Sequence, residues 1–273
     1  KHRGKAIGIT MAGTGLGAFL LPPIVEFLIA NHGWRTAYRG IGLGALLISL
    51  PIVFVLFKEK PDSSTATGGE VMANKVETWG LTTGDAMRTK QFWILGAVLF
   101  LTVIVVAGLL SNFERIMTEQ GFERSSIAQI AAVMGLTVII GRLMVGALVD
   151  RFWAPGVAAC FFLVATLGLL ILIGTQVTMA TALLVAVMIG LAAGAELDLL
   201  AYLTGKYFGP AHYPAIFGLI IAFFTVGAGI APPLFGMAAQ MFQGYGTMLS
   251  ISIGLLLVSI LLFLSLGRYP DEE

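Results

Sequence analysis

Two segments of this sequence follow the same pattern, and this repeat constrains the fold more than any other feature. Residues 6–34 and 206–245 each contain a glycine-rich apolar stretch, a pair of prolines, and then a glycine followed by an aromatic residue. Gly8 aligns with Gly218 at an offset of 210 residues, and the same offset aligns the two proline pairs. Repetition at a fixed spacing indicates that the chain folds as related structural units.

Eight apolar stretches are long enough to cross a lipid bilayer, which takes about 20 apolar residues for a core roughly 30 Å thick. They are 6–30, 37–57, 91–113, 126–148, 156–175, 178–204, 213–238 and 246–267. Each is predicted to be a helix, because lipid offers backbone groups no hydrogen-bond partner. The composition agrees, since 58% of the residues are hydrophobic and 11% are charged, against about a quarter charged in soluble domains. The predicted fold class is therefore all-α, a polytopic transmembrane helical bundle.

The repeat also predicts how the chain is divided. It relates the first span to the seventh, so that six spans make one repeating half. Residues 1–57 are then the last two helices of an N-terminal half, 58–90 a cytoplasmic linker, and 91–273 the C-terminal six-helix half. The chain is accordingly expected to be truncated at its N-terminus, with four spans of the same protein missing.

The placement of Lys and Arg predicts the orientation of the spans. Twelve of the sixteen belong to one side of the membrane, eleven in one set of alternate loops and Arg142 within the adjoining span. The other four are Arg35, Arg39, Arg115 and Arg124. Because cytoplasmic loops carry an excess of these residues, both termini are expected to lie in the cytoplasm.

Several classes of function are disfavoured by what the sequence lacks. A net charge of +1 and the lack of a basic arm give no support to nucleic-acid binding. The three histidines have no metal-ligand spacing, and neither a His-Glu-x-x-His nor a nucleophile-elbow motif occurs. No metal, cofactor or enzymatic activity is therefore expected. Gly13, Gly15 and Gly17 fail the spacing of a dinucleotide loop, and no strand precedes them.

Glycines and prolines inside the spans predict how the helices pack. Small residues let membrane helices approach closely, and this role is expected for Gly190, Gly194, Gly227 and Gly229. The two proline pairs are expected to bend their helices, because each proline removes a backbone donor.

The segment after the fourth span carries a family signature. Residues 146–151 read Gly-x-x-x-Asp-Arg, which is similar to the loop signature of the major facilitator superfamily between spans two and three of a half. By this resemblance the eight spans correspond to the fifth to twelfth of a twelve-span major facilitator fold.

Further motifs extend the resemblance to the monocarboxylate and oxalate–formate type porters. The stretches that carry it are 5–17, 33–35, 141–146, 194–198 and 207–209. In the eighth span of those porters, an arginine at the position of Arg142 meets the substrate carboxylate. Val138 stands where mammalian monocarboxylate porters tend to have an aspartate, so proton coupling is not expected through an acid at this position. Residues 213–238 lack the lysine of the oxalate type, and a monocarboxylate is therefore expected rather than a dicarboxylate.

The resemblance implies a secondary active transporter that moves a small organic anion by alternating access. Proton symport is the expected coupling, with exchange for a counter-anion as the other option, and a bacterial inner membrane is the expected location. Two alternatives stay open. One is a major facilitator exporter or permease for drugs or sugars, in which Arg142 is structural, and the other is a sensor with a transporter-like body.

Charged residues inside spans are the strongest site candidates, because a charge at mid-membrane costs roughly 2.5–3.5 kcal/mol on insertion scales. Arg142, Glu196 and Asp198 are expected at similar depth in the cytoplasmic half of the membrane. The planar guanidinium of Arg142 suits a substrate carboxylate. Glu196 or Asp198 is expected to carry the coupled proton or to form an ion pair with Arg142. The two acids point about 200° apart on a helix, so one faces the cavity, and Glu196 is favoured.

Two further groups complete the predicted site. Asn112 and Phe113 are expected to line the substrate pathway, with packing against lipid or another helix as the alternative. Gly146, Asp150 and Arg151 are expected to form the cytoplasmic gate. In the superfamily such an aspartate pairs with basic groups and a helix N-terminus of the opposite half, which in this chain is the start of the first span.

Overall fold

The computed structural model describes residues 3–56, 79–174 and 176–269. All the regular secondary structure in these ranges is helical, which confirms the predicted all-α class. The helices are α1 (Arg3–Leu56), α2 (Thr83–Arg88), α3 (Lys90–Glu119), α4 (Arg124–Val149), α5 (Ala154–Gly174), α6 (Met179–Phe208), α7 (Tyr213–Met241) and α8 (Gly246–Leu264).

Six of the described helices, α3 to α8, are long and apolar enough to cross a membrane. They coincide with the third to eighth predicted spans, and the largest difference at an end is at α3, which continues to Glu119. Its last two turns are more polar than the span, so hydropathy alone placed the end too early. The predicted polytopic bundle is confirmed by these helices.

The first two predicted spans lie on α1. Its backbone leaves helical geometry at Gly33, with φ of 76° and ψ of 161°. Glycine adopts such a positive φ without the steric cost that a side chain brings. The change of direction therefore falls between the predicted spans 6–30 and 37–57.

The chain divides into two compact units, Leu16–Val76 on one hand and Lys1–Gly15 with Glu77–Glu273 on the other. The assignment of 1–57, 58–90 and 91–273 to parts of a two-half bundle stays a prediction. Most of the predicted linker, residues 58–78, lies outside the described residues.

A short capped helix, α2, leads into the first span of the six-helix unit. The amide of Asp85 donates to Thr82 Oγ1 at 3.2 Å at the start of α2. Thr89 then caps α3 by accepting from the amide of Phe92 at 3.3 Å. Hydroxyl side chains at these positions satisfy backbone donors that a helix start leaves unpaired.

Glycines let four of the six spans pack as two close pairs, α3 with α7 and α4 with α6. In the first pair, a Cβ on Gly227 would lie 2.5 Å from Val103 and 3.2 Å from the carbonyl oxygen of Phe100. In the second, Gly190 leaves no room for a Cβ beside Thr137. Gly229 was wrongly predicted to allow close approach, since nothing lies within 4 Å of its Cβ position. Helices α5 and α8 pack on the outside of these pairs, α5 against α6 and α8 against α5 and α3.

Candidate functional site

The close approach of α4 and α6 determines where Arg142 lies. A Cβ on Gly141 would be 2.5 Å from the carbonyl oxygen of Leu191, so α4 meets the α6 backbone directly beside Arg142. Across the interface, a Cβ on Gly194 would overlap the carbonyl oxygen of Val138 and lie 3.1 Å from the amide nitrogen of Arg142. Arg142 is half-buried. Its backbone is therefore held opposite Gly194, one helical turn before Asp198.

Asp198 is the acid that the structure brings to Arg142. It is half-buried on α6, and its carboxylate is within electrostatic range of the Arg142 guanidinium. Opposite charges attract more strongly inside a protein than in water, because the surroundings screen them less. The charges of the two residues therefore act on each other across the α4–α6 interface.

Glu196 lies on the opposite face of α6. Its side chain is 6% exposed, and it accepts a hydrogen bond of 2.5 Å from Thr102 Oγ1 on α3. This hydrogen bond satisfies a buried polar group that would be costly to leave without a partner. The expected divergence of the two acids is therefore observed. The acid beside Arg142 is Asp198, whereas the sequence favoured Glu196 for the cavity.

Asn112 is buried in a network between three helices. Its Nδ2 donates to the carbonyl oxygens of Gly108 at 3.0 Å and of Pro232 at 3.4 Å. Its Oδ1 accepts from the phenol of Tyr245 at 3.2 Å. Asn112 was predicted to line the substrate pathway, but its side-chain amide is thus hydrogen-bonded to other groups of the protein.

Phe113 packs against the hydrophobic core and lines a small apolar cavity. The cavity has a volume of about 10 Å³ and also contacts Leu109, Met134, Leu172 and Ile189. This is about the space that one water molecule requires. The cavity is too small for an organic anion, so in this structure Phe113 contributes packing.

The predicted gate residues lie at the end of α4. Gly146 has open space around its Cβ position, Asp150 is the C-cap of α4, and both Asp150 and Arg151 are exposed. The side chains of Arg3 and Lys5, near the predicted partner helix start, lie outside the described residues. The gate therefore stays a prediction.

A group of aromatic residues holds the loop that follows Asp150. The Trp153 indole and the Tyr207 phenol both donate to the carbonyl oxygen of Gly267, at 3.2 and 2.9 Å. The amide of Ala154, the first residue of α5, donates to the Tyr269 hydroxyl at 2.9 Å. Burial raises the pKa of Tyr269, so its phenol stays neutral at physiological pH. Sequence analysis missed this group, because its members come from three separate parts of the chain.

The part of the chain that the structure describes contains no group of three or more His, Cys, Asp or Glu residues that could hold a metal ion. The charged side chains of the site are those of Arg142, Asp198 and Glu196.

Comparison with known proteins gives one family match and several named relatives. A family model described as Major Facilitator Superfamily matches residues 1–232. Monocarboxylate transporter 12 of Xenopus laevis is 26% identical over 97% of this chain and 62% of its own length. The 3-(3-hydroxy-phenyl)propionate transporter of Escherichia coli (strain K12) is 25% identical over 98% of this chain and 64% of its own length.

A third relative matches a shorter part of the chain. The hexuronate transporter of Escherichia coli (strain K12) is 26% identical over 64% of this chain and 43% of its own length. The chain thus spans less than two thirds of the length of each of these three relatives. All three are named for transport of an organic acid or its anion.

Proposed function

Since this chain belongs to the major facilitator superfamily and is an integral membrane protein, we propose that it acts in secondary transport of a small organic anion. The expected substrate is a monocarboxylate. The observation that carries the proposal is the half-buried guanidinium of Arg142 on a membrane-spanning helix, opposite the carboxylate of Asp198. The organic acids in the names of the three relatives support the same substrate class.

Arg142 is proposed to bind the substrate carboxylate. A cation inside a membrane-spanning helix is costly unless it faces water, a partner or a ligand. The guanidinium presents parallel N–H donors that match the two oxygens of a carboxylate. Both neighbours that position it, Gly141 and Gly194, lack side chains, so the α4–α6 contact holds the backbone of Arg142 rigidly. A fixed backbone limits the positions that the guanidinium can reach. This suits recognition of an anion by shape as well as by charge.

Asp198 is proposed to be the resting counter-ion of Arg142. When Asp198 is ionised, the pair is close to neutral, and an arriving anion adds one uncompensated negative charge. A proton on Asp198 restores neutrality, and Arg142 then pairs with the substrate. This exchange of partners couples one proton to one monocarboxylate, because a charged loaded site is costly to bury. Glu196, bonded to Thr102 on the other face of α6, is the second proposed proton site.

The transport cycle proposed for this site is alternating access. The two halves of the bundle expose the site to each side of a bacterial inner membrane in turn, with both termini in the cytoplasm. Gly146, Asp150 and Arg151 act in the cytoplasmic gate of this scheme. Exchange for a counter-anion uses the same site, with the second anion bound at Arg142 in place of the substrate on the return step.

Uptake into proteoliposomes tests the proposal, with the protein expressed from its complete reading frame. A panel of monocarboxylates is compared with the matching amides and alcohols, with and without an inward proton gradient. We expect saturable uptake of carboxylates alone. Arg142→Lys is expected to raise KM about tenfold, because a lysine keeps the charge and loses the two-point contact.

Arg124→Lys is the matched control on the same helix. Arg124 is exposed and lies 3.9 Å from Glu114, and an exposed pair of this kind contributes little. Its kinetics are expected to equal those of the wild type. Equal uptake of the neutral analogues, or an unchanged KM in Arg142→Lys, would contradict the proposal and favour an exporter in which Arg142 is structural. Carboxylate binding without flux would indicate a sensor.

A further inference from the structure

We propose that Asn112 is a positioning residue for the proline-containing segment of α7 and does not bind the substrate. Together with Tyr245 and Glu119 it forms a cluster that we call the α3 clasp. The proposal rests on the proposed transport function, since its effect is on the rate of the transport cycle. It is argued from three hydrogen bonds that join α3, α7 and the start of α8.

The amide of Asn112 has little capacity left for a ligand. An asparagine amide has two N–H donors, and both are accounted for by the carbonyl oxygens of Gly108 and Pro232. Its oxygen accepts from Tyr245, and the side chain is 4% exposed. A substrate that used Asn112 would have to break contacts between helices.

The contact with Pro232 places Asn112 at the weakest point of α7. Pro232 and Pro233 lie inside this helix and lack the N–H groups that would bond to Ala228 and Gly229. Bends in helices occur at such positions. On α3, Gly108 leaves space that the ring of Phe235 fills, one turn from the proline pair. Asn112 therefore connects α3 to the segment of α7 that is least restrained by its own hydrogen bonds.

Glu119 extends the clasp to α8. It lies about two turns after Asn112, on the same face of α3. Its carboxylate accepts from the amide of Tyr245 at 3.1 Å, and its Oε1 occupies the space where a Cβ on Gly244 would lie. Tyr245 is the N-cap of α8 and makes no cap with its own side chain. Glu119 thus supplies a negative charge at the start of α8, where the helix dipole favours one.

The clasp connects α3 by hydrogen bonds to both α7 and the start of α8, so a movement of one of these helices affects the other two. Tyr245 is held through its amide by Glu119 and through its phenol by Asn112. At 3.4 Å, the bond from Asn112 to Pro232 is the longest of the three and the first expected to break, since the amide of Tyr245 has its shorter contact with Glu119 at 3.1 Å. When α7 changes its bend during transport, this bond opens while the contacts to α8 persist. Asn112 therefore sets the rate of the change in α7.

The test compares Asn112→Leu, Tyr245→Phe and the double variant in the full-length protein. If the clasp sets the rate, each single variant changes kcat of carboxylate uptake about fivefold while KM stays within about twofold. The double variant should resemble the single ones, because residues in one network have non-additive effects. Tyr213→Phe is the matched control. It removes a phenol bond of 3.2 Å to the carbonyl oxygen of Ala201, outside the clasp, and should leave kcat unchanged.

A second measurement needs no substrate. In a Cys160→Ser background, Met241→Cys places a thiol at the exposed C-terminal end of α7. Its rate of labelling by a water-soluble maleimide is expected to change several-fold in Tyr245→Phe, which removes a single oxygen and keeps the fold. An altered labelling rate without any carboxylate uptake would sustain the clasp and overturn the proposed function.

Two results overturn the clasp. One is a KM raised tenfold or more in Asn112→Leu with unchanged kcat and labelling, which makes Asn112 a substrate ligand. The other is that Asn112→Leu and Tyr245→Phe both keep the wild-type kcat and the wild-type labelling rate. If Asn112→Leu does not fold, Tyr245→Phe alone decides, through the same two readouts.

Discussion

Gly194→Ala is expected to destabilise the protein by about 3 kcal/mol, at the upper end of what overpacking costs. The added methyl group would overlap the carbonyl oxygen of Val138, and a backbone atom cannot turn aside as a side chain can. Helix α4 must therefore move away from α6. The same movement takes Arg142 away from Asp198, so carboxylate uptake should be lost as well.

Thermal unfolding in detergent measures the first effect and proteoliposome uptake the second. Gly135→Ala is the matched control, because this glycine is also on α4 but has nothing within 4 Å of its Cβ position. Its melting temperature should not fall, since alanine favours a helix over glycine. Equal melting temperatures for Gly194→Ala and the wild type would show that α4 and α6 are not held as closely as described.

Thr102→Val is expected to cost about 2 kcal/mol, within the range for leaving a buried polar group without its partner. Valine has nearly the shape of threonine but cannot donate to Glu196, whose carboxylate is almost fully buried between α3 and α6. This bond is also a polar link between the α3–α7 pair and the α4–α6 pair. Its loss should therefore loosen the six-helix unit.

A double-mutant cycle separates the hydrogen bond from packing. Thr102→Ser keeps the hydroxyl and should retain most of the stability. Thr102→Val combined with Glu196→Leu should recover much of the loss, because replacing both partners by apolar groups is often nearly neutral. If Thr102→Val melts at the same temperature as Thr102→Ser, the bond contributes nothing to the fold.

The spans were predictable because the length of an apolar run is set by the thickness of the membrane. That Arg142 and Asp198 lie at a similar level of two neighbouring helices followed from counting residues along each helix. Which acid faces Arg142 did not follow, since the rotation of α6 is determined by its contacts with α4 at Gly190 and Gly194. Periodicity gives the angle between two side chains but not the direction of either one.

The role of Asn112 could not be predicted for a different reason. In the sequence it is a single amide in an apolar stretch, and this pattern is the same whether the side chain binds a substrate or contacts another helix. Its partners Pro232 and Tyr245 lie more than 100 positions later, so no local signal connects them. Gly229 shows the same limit, because its neighbour Gly227 faces α3 and Gly229 faces open space.

The carbonyl oxygen of Gly267 has a practical consequence for anyone who engineers this chain. It accepts hydrogen bonds from both Trp153 and Tyr207. Two positions later, the Tyr269 hydroxyl accepts one from the amide of Ala154 at the start of α5. A purification tag or a fluorescent fusion joined directly after Leu264 would delete these acceptors. Attachment sites should therefore be placed beyond Tyr269, with a spacer that keeps the added domain clear of Trp153.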